Sequence, residues 1–153
     1  MPSLVEKLAQ GSARPQTIED CVELIDGQVK QKGFVIKSAY ATIKAIKKRF
    51  IPEVVDGMLD EWLTKLQPHH DKWSATKTSS FSDFLVARSA DVAEDLLQVT
   101  DARAANTSHT TAKKMYGRMR EGAKQNVMEA IPALAAMIDK RLAAVPQQPV
   151  ASV

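Results

Sequence analysis

Eight residues of this chain return in altered form 75 positions later. Glu19-Asp20-Cys21-Val22-Glu23-Leu24-Ile25-Asp26 aligns with Glu94-Asp95-Leu96-Leu97-Gln98-Val99-Thr100-Asp101, with three acidic positions coinciding and positions 21, 22 and 24 apolar in both. Further along, the offset becomes 76, and Lys37, Tyr40, Lys44 and Lys48 fall on Lys113, Tyr116, Arg120 and Lys124. The extra residue lies between two helical stretches, where a loop tolerates insertion. The chain has only two tyrosines, and they fall in register. Ile51-Pro52 is echoed by Ile131-Pro132 once a further helical turn is inserted. A period this long predicts two fused copies rather than a solenoid.

Each copy reads as helical. Sustained alternation of apolar and polar residues is absent, as are the turn dipeptides of hairpins. Ser3 and Glu6 have the spacing of a capping box for a short first helix that ends at Gly11. A second helix starts near Pro15, carries Ile18, Cys21, Val22 and Ile25 on one face, and runs towards Gly33. A third is expected from Phe34 to Phe50, and Ile51-Pro52 should end it and begin a fourth. Pro68 should restart the chain into a short piece through Trp73, followed by a linker over Ser74 to Ser80. Helices from about Ser82 to Ala104, from about Ser108 to Lys124, and a last one ending near Ala144 complete the reading. The expected fold is therefore all-α: a bundle of about six to eight helices forming one domain over residues 1–144. Its repeat units span about 15–66 and 82–144 with pseudo-two-fold symmetry, and a disordered tail covers 145–153.

Composition agrees with a folded core. The chain is 44% hydrophobic and 25% charged, and at 153 residues it can bury one core without disulfides or a structural metal. Aromatic residues are 5%, so Leu, Ile, Val, Ala and Met must fill that core. The single cysteine, Cys21, cannot make an internal disulfide. The opening residues lack a signal-peptide pattern, and the longest apolar run, Ala130 to Ile138, is about half a membrane span. A soluble, cytoplasmic protein is expected.

The net charge of +3 conceals a polarised molecule. Lys30 to Arg49 holds seven basic residues and no acidic one, and Arg103 to Lys124 holds six basic residues against Glu121. At 100° per residue, Lys37, Lys44 and Lys48 lie within about 40° of one another, opposite the apolar arc. Lys113, Arg120 and Lys124 repeat the stripe. Tyr40 and Tyr116 sit at the edge between the apolar and basic faces, where a ring can pack while its hydroxyl reaches water. These eight residues form a candidate anion-binding surface for nucleic acid, an acidic protein or an anionic lipid surface. The competing interpretation is a solvated helix back. Asp26 and Asp101 offer a structural role instead, by capping the next segment or pairing with the basic helix of their own unit.

Other chemistry is weakly represented. In His69-His70-Asp71 the adjacent histidines diverge by about 100° on a helix, so a solvated helix start is favoured over a metal site. Cys21 lies on an apolar face, matched by Leu96, and reads as a small core residue. The acidic pairs Glu19-Asp20, Glu94-Asp95 and Asp60-Glu61 diverge rather than converge as acid and base. No glycine-rich phosphate loop, nucleophile elbow or CxxC is present. No catalytic residue, metal or cofactor is assigned.

The blocks Ser3-Leu4-Val5-Glu6-Lys7-Leu8, Ile36-Lys37-Ser38-Ala39-Tyr40, Val99-Thr100-Asp101-Ala102-Arg103-Ala104 and Lys113-Lys114-Met115-Tyr116-Gly117 resemble an uncharacterised family of small bacterial helical proteins, over most of residues 3–140. The resemblance implies a bacterial cytoplasmic protein with no established activity, and it supplies no functional residues.

Two functions follow as expectations. One is a non-enzymatic binding or scaffold protein, possibly a homo-oligomer, engaging an anionic partner through its repeated basic helices. On that reading, reversing charge at Lys44, Lys48, Arg120 and Lys124 should spare stability. The alternative is a carrier holding a small apolar or amphipathic ligand between the two units, lined by Met58, Trp62, Met115, Met119, Met128 and Met137.

Overall fold

The computed structural model describes residues 3–144, so the 145–153 tail lies outside the described residues. Among them are eight helices and no strand: α1 (Leu4–Leu8), α2 (Ala13–Lys30), α3 (Phe34–Lys44), α4 (Phe50–Thr76), α5 (Phe81–Ala87), α6 (Ser89–Asn106), α7 (Thr110–Arg120) and α8 (Ala123–Ala144). None of them is long and apolar enough to cross a membrane.

The four long helices form a ring. α4 packs against α2 and α6, and α8 packs against the same two, whereas α4 and α8 do not approach each other, nor do α2 and α6. Contacts such as Trp62 with Leu96 and His69 with Asp95 run in opposite chain directions, so α4 and α6 are antiparallel. The result is an up-down-up-down bundle with short connecting helices at its ends. α1 and α5 close one end. At the other, α3 and α7 fold back on α2 and α6 and pack on each other.

Local chemistry explains the starts. The Ser3 hydroxyl accepts from the Glu6 N–H at 3.1 Å while the Ser3 N–H donates to the Glu6 carboxylate, which is the capping box expected of that spacing. Ser80 caps α5 by accepting from the Asp83 N–H at 3.0 Å.

Several boundaries differ from expectation. α3 stops at Lys44 rather than at Phe50, and a turn over 45–49, with Arg49 in the left-handed region (φ 66°), precedes α4. An unbroken helix would drive the Pro52 ring into the Lys48 carbonyl; the earlier break puts Pro52 in the first turn of α4, where its missing N–H costs nothing. Pro68 does not restart the chain. α4 runs through it to Thr76, because Leu63, Leu66 and His69 are all buried and hold both flanks against the core. The expected helix from Ser82 to Ala104 is two, α5 and α6, divided at Arg88. That bend lets α5 cross α8 while α6 runs along α4 and α8. α7 ends at Arg120, short of Lys124, and Gly122 (φ +78°) turns the chain into α8.

The main core joins all the layers through residues such as Leu4, Leu59, Leu85, Val92, Ile131 and Ile138, each at most 2% exposed. A smaller cluster of Ala39, Ile43, Phe50 and Met115 fastens α3 to α7 and to the start of α4.

Candidate ligand cavity

Where α4 and α8 stand apart, the bundle holds a partly open, mainly apolar cavity of about 460 Å³, with Tyr40, Tyr116 and His109 among its lining. That volume is in the lower half of the ~300–1,000 Å³ typical of small-molecule sites. Of the proposed lining residues, Met58, Trp62, Met119 and Met137 contribute, whereas Met115 belongs to the α3–α7 cluster and Met128 does not reach the cavity. Leu24, Ile25, Leu97 and Val127 extend the wall.

Two polar groups of the wall are satisfied by the protein. The Thr17 hydroxyl donates to the Ala13 carbonyl at 3.0 Å, and the Trp62 indole N–H donates to the Leu96 carbonyl at 3.3 Å. Cys21 also lines the cavity, and burial, assisted by the Asp20 charge, pushes its thiol up to about 12. It is a protonated, unreactive wall residue, in keeping with its apolar-face position.

Where the cavity meets α3 and α7, the two tyrosines each anchor to an aspartate one helix back. The Tyr40 hydroxyl donates to Asp26 at 2.7 Å, with Lys44 Nζ at 3.6 Å from the same carboxylate and 5.4 Å from the ring centre. The Tyr116 hydroxyl donates to Asp101 at 2.6 Å and lies 2.9 Å from the Thr100 hydroxyl. Arg120 Nε and Nη2 donate to the two Asp101 oxygens at 2.9 and 3.2 Å. Burial, then the neighbouring carboxylate, raises the Tyr116 phenol to about 12 and moves Tyr40 in the same direction. Burial alone would raise the Asp101 carboxyl, but the bonds from Tyr116 and Arg120 outweigh it and hold the pKa below the usual carboxylate range.

The eight candidate anion-binding residues thus divide. Lys44 and Arg120 attend Asp26 and Asp101, Lys124 lies 3.3 Å from Glu94, and both tyrosine hydroxyls are donated inward. Lys37, Lys48 and Lys113 are exposed, with no carboxylate among the described residues within 4 Å. Lys37 on α3 and Lys113 on α7 belong to neighbouring helices, whereas Lys48 lies in the turn before α4. Charge reversal at Arg120 would place like charges against Asp101, so the expectation that such changes spare stability does not survive this pairing.

The histidine pair is also repositioned. His69 is not at a solvated helix start: it lies within α4, 8% exposed, with Nε2 2.7 Å from Asp95 and no partner among the described residues for Nδ1. His70 packs edge-on against Phe81 and near Trp73, and burial, with Lys7 nearby, lowers its pKa. No group of three His, Cys, Asp or Glu among the described residues is placed to hold a metal ion.

Arg103 and Gly57 carry no signal in the basic stripes, yet they meet at the cavity. A Cβ on Gly57 would lie 2.7 Å from Arg103 Nη1 and 3.0 Å from Cζ and Nη2, so the guanidinium lies flat on the α4 backbone. The sequence hint is a glycine inside an otherwise well-patterned helix, a position that commonly marks a close approach.

These observations define an all-α bundle with a partly open, mainly apolar cavity among its helices. The chain belongs to a family of unknown function, DUF6918, whose model matches residues 4–142. No curated protein and no solved structure matches the chain.

Proposed function

We propose that this protein is a non-catalytic carrier that shelters a small, single-chain apolar or amphipathic molecule between two duplicated helical units. The observation that carries this reading is the cavity: its walls are mainly apolar, and Thr17 and Trp62 are bonded within the protein, so it favours hydrocarbon over water. The duplication is supported by helix lengths of 5, 18, 11 and 27 residues followed by 7, 18, 11 and 22. Each pair of touching helices also corresponds to another touching pair when its numbers shift by four, with α3 and α7 exchanging places.

Native mass spectrometry of the protein purified gently at low salt tests the proposal. A bound small molecule retained on adding salt is expected, because apolar burial is insensitive to screening. Replacing Ala130 on the cavity wall by Phe should empty it while the melting temperature stays within a few degrees. Bare protein that also fails to take up a long-chain alcohol would overturn the carrier reading.

A second reading, an anionic macromolecular partner, draws on Lys37, Lys48 and Lys113, which have no carboxylate among the described residues within 4 Å. It ranks below the carrier because the rest of the stripe is engaged by acids of the fold. Its test is binding to nucleic acid or anionic vesicles that falls steeply with salt and is lost on reversing those three lysines.

A further inference from the structure

We infer that the cargo carries an oxyanion head group, bound at the rim of the cavity by Arg103 with help from Lys113. The inference rests on the carrier reading and adds the chemical class of its ligand. Three observations converge on it.

First, the position of Arg103 is built rather than incidental. Arg103 lines the cavity and its guanidinium lies on α4 at Gly57, where a Cβ would push the flexible end of the side chain aside. The glycine costs about 1 kcal/mol of helix propensity relative to alanine. In the proposed duplication, the residues at the corresponding positions of the other α-helical crossing are Gln28 and Met137, so neither the notch nor the cation is repeated there. The asymmetry points to a use at one site only.

Second, Arg103 has no protein counter-ion. Arg14, Arg120 and Arg141 each lie within 2.9 Å of a carboxylate oxygen; Arg49, Arg88, Arg103 and Arg118 have none among the described residues within 4 Å, and of these four only Arg103 lines the cavity. Its N–H fork has no protein acceptor among the described residues. A planar fork of this kind matches a carboxylate or a phosphate in a bidentate manner.

Third, the lining joins further basic residues to an apolar wall. Lys113, His109 and Lys47 also line the cavity; Lys47 is 2.8 Å from Glu53, whereas Lys113, like Arg103, has no carboxylate among the described residues within 4 Å. Elsewhere the wall is apolar, with Leu24, Ile25, Val127 and Leu134. A single-chain amphiphile would therefore lie with its tail along the bundle axis and its head at Arg103.

The experiment compares dodecanoate, dodecyl phosphate and dodecanol by titration calorimetry on the full chain. At least one anion should bind about tenfold or more tightly than the alcohol, as expected of a charge-assisted hydrogen-bonded pair. The tighter of the two identifies the head group. In Arg103→Gln and Gly57→Ala that preference should collapse to within about twofold, with dodecanol binding unchanged. Arg103 is exposed, so Arg103→Gln provides a variant whose fold is undisturbed even if Gly57→Ala is destabilised. Equal binding of alcohol and anions by the natural chain would overturn the head-group inference and leave the carrier standing. Failure of all three to bind would remove the carrier reading itself.

Discussion

The α2–α3 corner and the α6–α7 corner solve one problem with different chemistry. In both, a tyrosine hydroxyl reaches back to an aspartate, and a basic residue four positions after the tyrosine attends the same carboxylate. The first corner uses Lys44, a point charge at 3.6 Å that also lies over the Tyr40 ring. The second uses Arg120, whose fork occupies both Asp101 oxygens. A lysine neutralises, whereas a guanidinium also fixes orientation. The second corner is thus the more directional, while the first relies more on burial, since Tyr40 is only 8% exposed.

A parallel contrast separates the crossings that join the halves, and it gives the largest expected effect. α2 and α8 are held by Asp20 and Arg141, with side chains 15% and 19% exposed and Nε 2.7 Å from Oδ2. The angles are poor for a hydrogen bond, so charge attraction holds this pair. α4 and α6 are held by His69 and Asp95, the latter 34% exposed. Replacing Arg141 by Ala leaves Asp20 charged and largely buried, at a cost of about 3 kcal/mol. Replacing His69 by Ala leaves a better-solvated Asp95 and should cost less. Urea denaturation of both variants checks the order, and equal losses would remove the distinction between the crossings.

The corners themselves rank next. Asp101→Ala strands Arg120 and Tyr116 together, and after discount for the roughly two-fifths exposure of the ion pair the loss is about 1.5 kcal/mol. Asp26→Ala should cost about 1 kcal/mol, chiefly through the Tyr40 hydroxyl. Acid sharpens the comparison. The folded-state pKa of Asp101 is depressed, so its contribution is present above the unfolded carboxyl value near 4 and is lost as pH falls through the lower folded value. Asp101→Asn should flatten the acid limb of the stability profile in that window.

Much of this was legible in the sequence where the relevant physics is local. Ser3 and Glu6 formed their capping box because both partners lie within one turn. The in-register tyrosines directed attention to Asp26 and Asp101, whose pairing with their own basic helices was one of the expected roles. The misreadings occurred where distant packing outweighed local preference. Pro68 breaks an isolated helix, but Leu66 and His69 are buried on either side of it. The bend at Arg88 left no mark because the apolar period continues across it. A cavity depends on how far α4 stands from α8, which neither helix encodes alone. Arg103 looked like any surface charge until Gly57, 46 positions earlier, was placed beneath it.

The ends of the bundle provide the smallest and most selective comparison. At one end His109 packs edge-on against Phe50, with ring centres 5.1 Å apart; at the other His70 packs edge-on against Phe81 at 5.0 Å. The geometries nearly coincide, but His109 is exposed and His70 is half-buried. Burial lowers the His70 pKa, and Lys7 and Lys77 add to the effect while Asp71 and Asp139 oppose it. A depressed histidine pKa means that the unfolded chain takes up its proton first. The stability that neutral His70 contributes is complete above its unfolded value near 6.5 and declines as pH falls from there to the folded value. In proton NMR the His70 ring should titrate below the ordinary histidine value near 6.5. Replacing His70 by Phe should remove the decline in stability over that window, while the same change at His109 should leave it in place. A His70 midpoint at or above that ordinary value would show that Phe81 and Trp73 do not desolvate its ring.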